Sequence, residues 1–179
     1  MKRYLAMLAF LPALAWADFT LTSSDAPAES TLSDKQVYIG YGCNGGNTSP
    51  ALKWQGAPAG TQSYALVLHD PDAPVAGGWY HWIVYNIPAG VTALPTGAGV
   101  STGAKVPKGA VQGLTSFGGN GFGGACPPIG HGRHRYNFVV YALKVKQLKL
   151  AEDASPAEQE KAIQGASLGQ AGFTAYYQR

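Results

Sequence analysis

Apolar and polar positions alternate with a period of two in three segments, and each predicts a β-strand. In 62–69, Tyr64, Leu66 and Leu68 fall on one face, and Ala65, Val67 and His69 on the other. In 79–87, His81 is expected to share a face with Trp79 and Ile83; in 134–145, His134, Tyr136 and Phe138 share one. One helix announces itself by its start: Ser155-Pro156-Ala157-Glu158 is a capping box with proline at the first helical position. That helix is expected to run to about Leu168, before Gly169, and 173–177 reads as a closing strand. Residues 44–49 and 97–124 read as loops. The second is long enough to be functional, and Phe117 and Phe122 within it predict an ordered loop packed on the body.

Twenty-four glycines and twelve prolines punctuate these short segments, the mark of a mainly β domain. No internal repeat or low-complexity linker divides the chain. Its start is different in kind. Lys2 and Arg3 precede an apolar run over 5–16, and Ala15-Trp16-Ala17 has the small-x-small form of a cleavage site. Residues 1–17 therefore read as an export signal cut after Ala17, with an uncleaved anchor as the alternative, and 18–179 as a single domain, periplasmic or secreted. No later stretch is apolar for long enough to cross a bilayer, so an integral membrane protein is not expected.

Losing Lys2 and Arg3 lowers the formal net charge of +3 by two, which removes the simplest support for nucleic acid as a partner. The remaining charge is uneven. No carboxylate lies between Asp72 and Glu152, where Lys105, Lys108, Arg133, Arg135, Lys144, Lys146 and Lys149 are found, a balance that favours an anionic ligand. The lysines at 144–149 read better as strand-edge protection against sheet-to-sheet association. Cys43 and Cys126 are the only cysteines. In an exported protein they suit a disulfide stabilising the fold by about 4 kcal/mol, with two buried free thiols as the alternative.

All four histidines lie in two short segments rich in glycine and proline. The first runs His69-Asp70-Pro71-Asp72-Ala73-Pro74 and on to Trp79-Tyr80-His81-Trp82; the second runs Cys126-Pro127-Pro128-Ile129-Gly130-His131-Gly132-Arg133-His134-Arg135-Tyr136. Rigid turns of this kind fix polar groups at a pocket rim. Asp70 reads as a pocket carboxylate able to hold a histidine charged, and Asp72 as either its neighbour there or the cap of an Asx turn. His81 and His134 read as ligand contacts, Tyr136 as a hydroxyl beside them, and the amides of Ile129 and Gly130 as oxyanion donors. No metal and no cofactor is expected, because no histidine or cysteine pair has a metal-ligand spacing. No Gly-x-Ser-x-Gly elbow supplies a nucleophile, so an enzyme is not expected beyond weak hydrolysis with His81 or His134 as base.

These segments closely resemble the phosphatidylethanolamine-binding protein family, also called the Raf kinase inhibitor protein family, and in particular its bacterial YbhB/YbcL branch. The resemblance extends to 42–50 (Gly-Cys-Asn-Gly-Gly-Asn-Thr-Ser-Pro), 54–58 (Trp-Gln-Gly-Ala-Pro) and 109–113 (Gly-Ala-Val-Gln-Gly). It implies an antiparallel β-sandwich with peripheral helices, and a small pocket for phosphate, acetate or a phosphorylated head group. Carried over by position, the lining is Asp70, Pro74, His81, Pro128, His134 and Tyr136, with Asp72 close by. It also implies a cis bond at Ala73–Pro74 and a second near Gly77–Gly78. The chain departs from bacterial relatives at Leu114-Thr115-Ser116-Phe117, where Arg-Asn-Asp-Phe is usual. His131 and Arg133 fall in a variable stretch and are expected at the rim, and nothing past Tyr177 is expected to gate the pocket. The function implied is binding of a small anionic or phosphorylated ligand. The alternative is an interaction or inhibitor module acting on a kinase- or protease-like protein partner.

Overall fold

The computed structural model describes residues 18–179, so the expected export signal at 1–17 lies outside the described residues. In chain order the strands are β1 (Thr20–Thr22), β2 (Ile39–Gly40), β3 (Cys43–Asn44), β4 (Leu52–Gln55), β5 (Ser63–Asp70), β6 (Trp79–Pro88), β7 (Ala93–Leu94), β8 (Val111–Gln112), β9 (His134–Leu143) and β10 (Ser167–Tyr177). Helix α1 (Pro156–Gly165) precedes β10, and a single 3-10 turn occupies Asp34–Gln36. A five-stranded antiparallel sheet in the order β10-β9-β5-β6-β8 packs on a three-stranded one, β1-β4-β7, with β2-β3 as a separate hairpin. This is the expected antiparallel sandwich.

The alternation read in the sequence decides which residues fill it. Tyr64, Leu66 and Leu68 of β5 join Tyr136, Phe138 and Val140 of β9 and Leu52 and Trp54 of β4 in the inter-sheet core. Ala65 and Val67 face the other way, with Tyr141 and Leu143, onto Ile163 of α1. Full burial of Ile163 alone removes enough apolar surface to stabilise the docked helix by about 2 kcal/mol.

Strand β6 breaks its own alternation. Its pairing with β5 steps from Leu68↔Trp82 to His69↔Tyr80, leaving His81 as an extra, unpaired residue in a bulge. Trp82 sits in the inter-sheet core and Ile83 on the helix side, while the His81 ring lies 5.1 Å from that of Tyr136. The expected shared face of His81 and Ile83 is therefore corrected: the bulge turns His81 to the sandwich interior.

Three further expectations change. Helix α1 has the capping box but stops at Gly165, not near Leu168: Ala166 caps it, and Ser167 already pairs with Leu143 of β9. The closing strand thus runs from Ser167, not Phe173, because β9 offers a partner along its whole length; Gly169 and Gly172 had masked the alternation. The described residues contain no cis peptide bond, neither at Ala73–Pro74 nor near Gly77–Gly78. The chain reverses there through Gly77 and Gly78, both at positive φ, and a Cβ on Gly78 would meet the Asp70 carbonyl at 2.4 Å. The 97–124 loop also carries β8, paired to β6, and a bridge between Leu114 and Asn120.

Candidate functional site

Where β5, β6 and β9 converge, Asp70, His81 and His134 reach a cavity of about 330 Å³. Asp70 is the last residue of β5, His134 the first of β9, and the β6 bulge supplies His81. With Tyr136 they form a buried polar floor, each no more than 4% exposed. Proline and aromatic residues form the walls: Pro74, Trp79, Phe117, Pro127 and Pro128. Tyr41 and Val75, which also line the cavity, are largely solvent-exposed and mark its mouth.

The floor is wired by hydrogen bonds. His134 Nδ1–H donates to Asp70 Oδ2 at 2.7 Å. The other Asp70 oxygen accepts from the main-chain N–H of Asp72 at 2.9 Å, so Asp70 and not Asp72 makes the Asx turn. The outward nitrogen of His134, Nε2, lies 2.8 Å from His131 Nδ1, and one hydrogen joins the two rings. His81 is held differently: Nδ1–H donates to the Gly123 carbonyl at 2.7 Å, which assigns the neutral tautomer with a bare Nε2. Gly123 also donates its N–H to the His81 carbonyl, and the Phe117 ring lies so close that a Cβ there would meet it at 2.2 Å. Only glycine fits between His81 and Phe117.

Burial holds the His81 imidazole down at about 4, against a smaller opposing pull from the Gly123 carbonyl. In the unfolded chain the same ring takes a proton near pH 6.5. Stability contributed by neutral His81 is therefore complete above pH 6.5, falls as pH drops toward 4, and changes no further below. The full loss is about 3 kcal/mol. Urea unfolding at pH 7.5 and 4.5 checks this, with His81→Gln expected to flatten the difference; an unchanged difference in the variant would assign it elsewhere. Burial also pushes the Tyr136 phenol up, so it stays a protonated hydroxyl.

Six of the seven expected site residues thus line one cavity: Asp70, Pro74, His81, Pro128, His134 and Tyr136. Asp72 does not. Arg135 claims it, donating from Nε, Nη2 and the main-chain N–H, and this pairing lowers its carboxyl to about 2. The Gly130 amide, expected to face an oxyanion, instead donates to the Arg179 carbonyl. Arg179 itself forms part of the cavity wall, so the chain past Tyr177 does reach the pocket. His131 is at the rim as expected, whereas Arg133 stacks on Tyr176. In the divergent 114–117 stretch, the Ser116 hydroxyl accepts from Tyr80 N–H and Thr115 bonds Gly119, so both polar groups brace the loop that presents Phe117. The lining residues that the sequence reading missed include Tyr41, Trp79, Phe117 and Arg179. Cys43 and Cys126 are disulfide-bonded, Cα atoms 6.0 Å apart, which replaces the free-thiol alternative. Among the described residues no group of three or more His, Cys, Asp or Glu side chains is placed to hold a metal ion, and no helix is long and apolar enough to cross a membrane.

Residues 22–178 match the phosphatidylethanolamine-binding protein family. The chain belongs to that family. It is 49% identical over 152 residues to YbcL of Escherichia coli (strain K12), covering 84% of this chain and 83% of YbcL. With YbhB of the same organism the identity is 41% over 157 residues, covering 88% and 98% of the two chains. The crystal structure of Escherichia coli YbcL, described as a new member of the mammalian PEBP family, superposes with a TM-score of 0.88 at 45% identity, over 91% of this chain and 99% of that one. The bulge, the buried Asp70–His134 pair and the proline-walled cavity are thus features of a family member.

Proposed function

We propose that this family member is an exported binding protein whose cavity takes a small anionic or phosphorylated ligand. The observation that carries the reading is the buried Asp70–His134 pair at the floor of a cavity walled by proline and aromatic residues. Asp70 fixes the imidazole so that Nε2 is the atom offered to a ligand oxygen at the cavity floor. Tyr136 adds a hydroxyl, and the bare His81 Nε2 accepts from a protonated oxygen or an ammonium group. The basic start, apolar run and Ala15-Trp16-Ala17 support cleavage after Ala17, and the Cys43–Cys126 bond suits an oxidising compartment. Nothing in the floor provides an activated nucleophile, which favours binding over catalysis.

In this reading the ligand must displace His131 from His134 Nε2, so part of its affinity is spent opening the site. Calorimetric titration with inorganic phosphate and phosphoethanolamine tests both points. The mature protein is expected to bind saturably, His134→Gln to lose binding at least tenfold, and His131→Ala to bind several-fold more tightly, since one hydrogen bond no longer competes. No binding by any of the three would sink the anion reading and return weight to a protein partner. Weaker binding by His131→Ala would make that residue a ligand contact and not a competitor.

A further inference from the structure

An anion pocket needs positive charge, and the groups on the cavity floor do not provide it. His81 is neutral, and any positive charge on His134 faces the Asp70 carboxylate. Arg135 is committed to Asp72 in a two-pronged pair outside the cavity. Arg133 lies over the Tyr176 ring and is not part of the lining. What remains is Arg179. Arg179 lines the cavity, and its guanidinium forms no ion pair with an Asp or Glu side chain among the described residues.

Its geometry is that of a built site. Nε–H donates to the Pro127 carbonyl at 2.5 Å, one Nη1 hydrogen to Gly42 and one Nη2 hydrogen to Tyr41, both at 3.1 Å. These three acceptors lie on the two segments joined by the Cys43–Cys126 disulfide, so the guanidinium plane is fixed to both segments. The main-chain oxygen of Arg179 turns to the Gly130 amide, anchoring the residue from its other end. A guanidinium has five N–H donors, and three are used here; two remain, one on each Nη, held in a fixed plane and free to meet an anion.

We propose that Arg179 is the charge-bearing specificity residue of the pocket, pairing through its two free Nη hydrogens with a ligand oxyanion that also reaches His134. This rests on the anion reading above and adds what that reading lacks, a positively charged side chain at the cavity. It selects for ligands with at least two oxygens on one charged group, phosphate or a phosphate monoester, because Arg179 and His134 then bind different oxygens.

The experiment is titration of Arg179→Gln and Arg179→Lys with inorganic phosphate beside the unmodified protein and His134→Gln. Arg179→Gln is expected to lose phosphate affinity at least tenfold, and Arg179→Lys to lose clearly less, because lysine keeps the charge but not the two-pronged geometry. A purely structural clasp predicts the opposite for lysine, which cannot bridge three carbonyls, so equal loss in both variants would overturn the proposal. Arginine-selective NMR of the unmodified protein gives a second readout that needs no variant to fold. The Arg179 Nη signals should shift along the same isotherm as calorimetry, and no shift at saturating phosphate would overturn the assignment. Phosphate binding that is lost in His134→Gln but intact in Arg179→Gln would remove Arg179 alone. Absence of phosphate binding to the unmodified protein would remove the anion reading and this proposal together.

Discussion

His134→Ala is expected to lower the free energy of unfolding by about 3–5 kcal/mol, one of the two largest effects we expect in this protein. The reason lies in what it leaves behind. Asp70 is 2% exposed, and without the imidazole its carboxylate keeps only the Asx bond from Asp72 N–H. A buried charge stripped of its partner carries its desolvation cost uncompensated. Asp70→Ala is expected to cost less, because His134 still shares a hydrogen with His131. Removing both groups should therefore cost clearly less than the sum of the single changes, by at least about 1 kcal/mol. Urea unfolding of the two single variants and the double variant makes the measurement. Additive losses would mean that the pair is not energetically coupled and that His134 matters to stability only through packing.

The same pair shows how far the sequence could be read. His134 was legible because strand alternation carries Phe138 and Tyr136 on to it, and Asp70 because it lies in the turn-rich histidine segment; the structure extends β5 to Asp70, at the end of the face that carries Leu66 and Leu68. The capping box located α1 because its signal is local, four residues wide and chemically explicit. His81 was found as a site residue on the wrong logic. Strict alternation groups it with Ile83, and only the extra residue opposite the Leu68/His69 step brings it beside Tyr136. A bulge has no reliable period in the sequence, since it depends on which partner strand sets the register.

Wall residues were less legible for a different reason. Phe117 reaches the cavity because the Ser116 hydroxyl and main chain tie the loop to Tyr80 and because Gly123 leaves room for the ring. Arg179 does so because three carbonyls from distant segments converge on it. Both are products of tertiary placement, and nothing adjacent in the chain encodes them. Asp72 misled in the opposite sense: it sits beside Asp70 in the sequence, but Arg135, on the far face of β9 from His134, holds it outside the pocket.

Reducing or removing the Cys43–Cys126 bond is expected to destabilise the protein by about 4 kcal/mol and to weaken phosphate binding at the same time. The first part follows from chain entropy: the bond joins residues separated by 83 positions, and opening so long a loop restores much freedom to the unfolded chain. Binding is affected because of where the bond lies. Tyr41 and Gly42 precede one cysteine and Pro127 and Pro128 follow the other, so the disulfide joins the two segments that form one side of the cavity. Other ties persist between these segments, since Tyr38 N–H bonds the Ala125 carbonyl and Ala125 N–H bonds Gln36. The fold should therefore survive reduction, while the wall beyond Ala125, held by Arg179, loosens. The Cys43→Ser/Cys126→Ser variant is expected to unfold at lower urea with a similar slope and to bind phosphate several-fold more weakly below its unfolding transition. A variant that is less stable but binds phosphate unchanged would confine the bond to global stability, and would mean that Arg179 and the backbone ties hold the pocket wall without it.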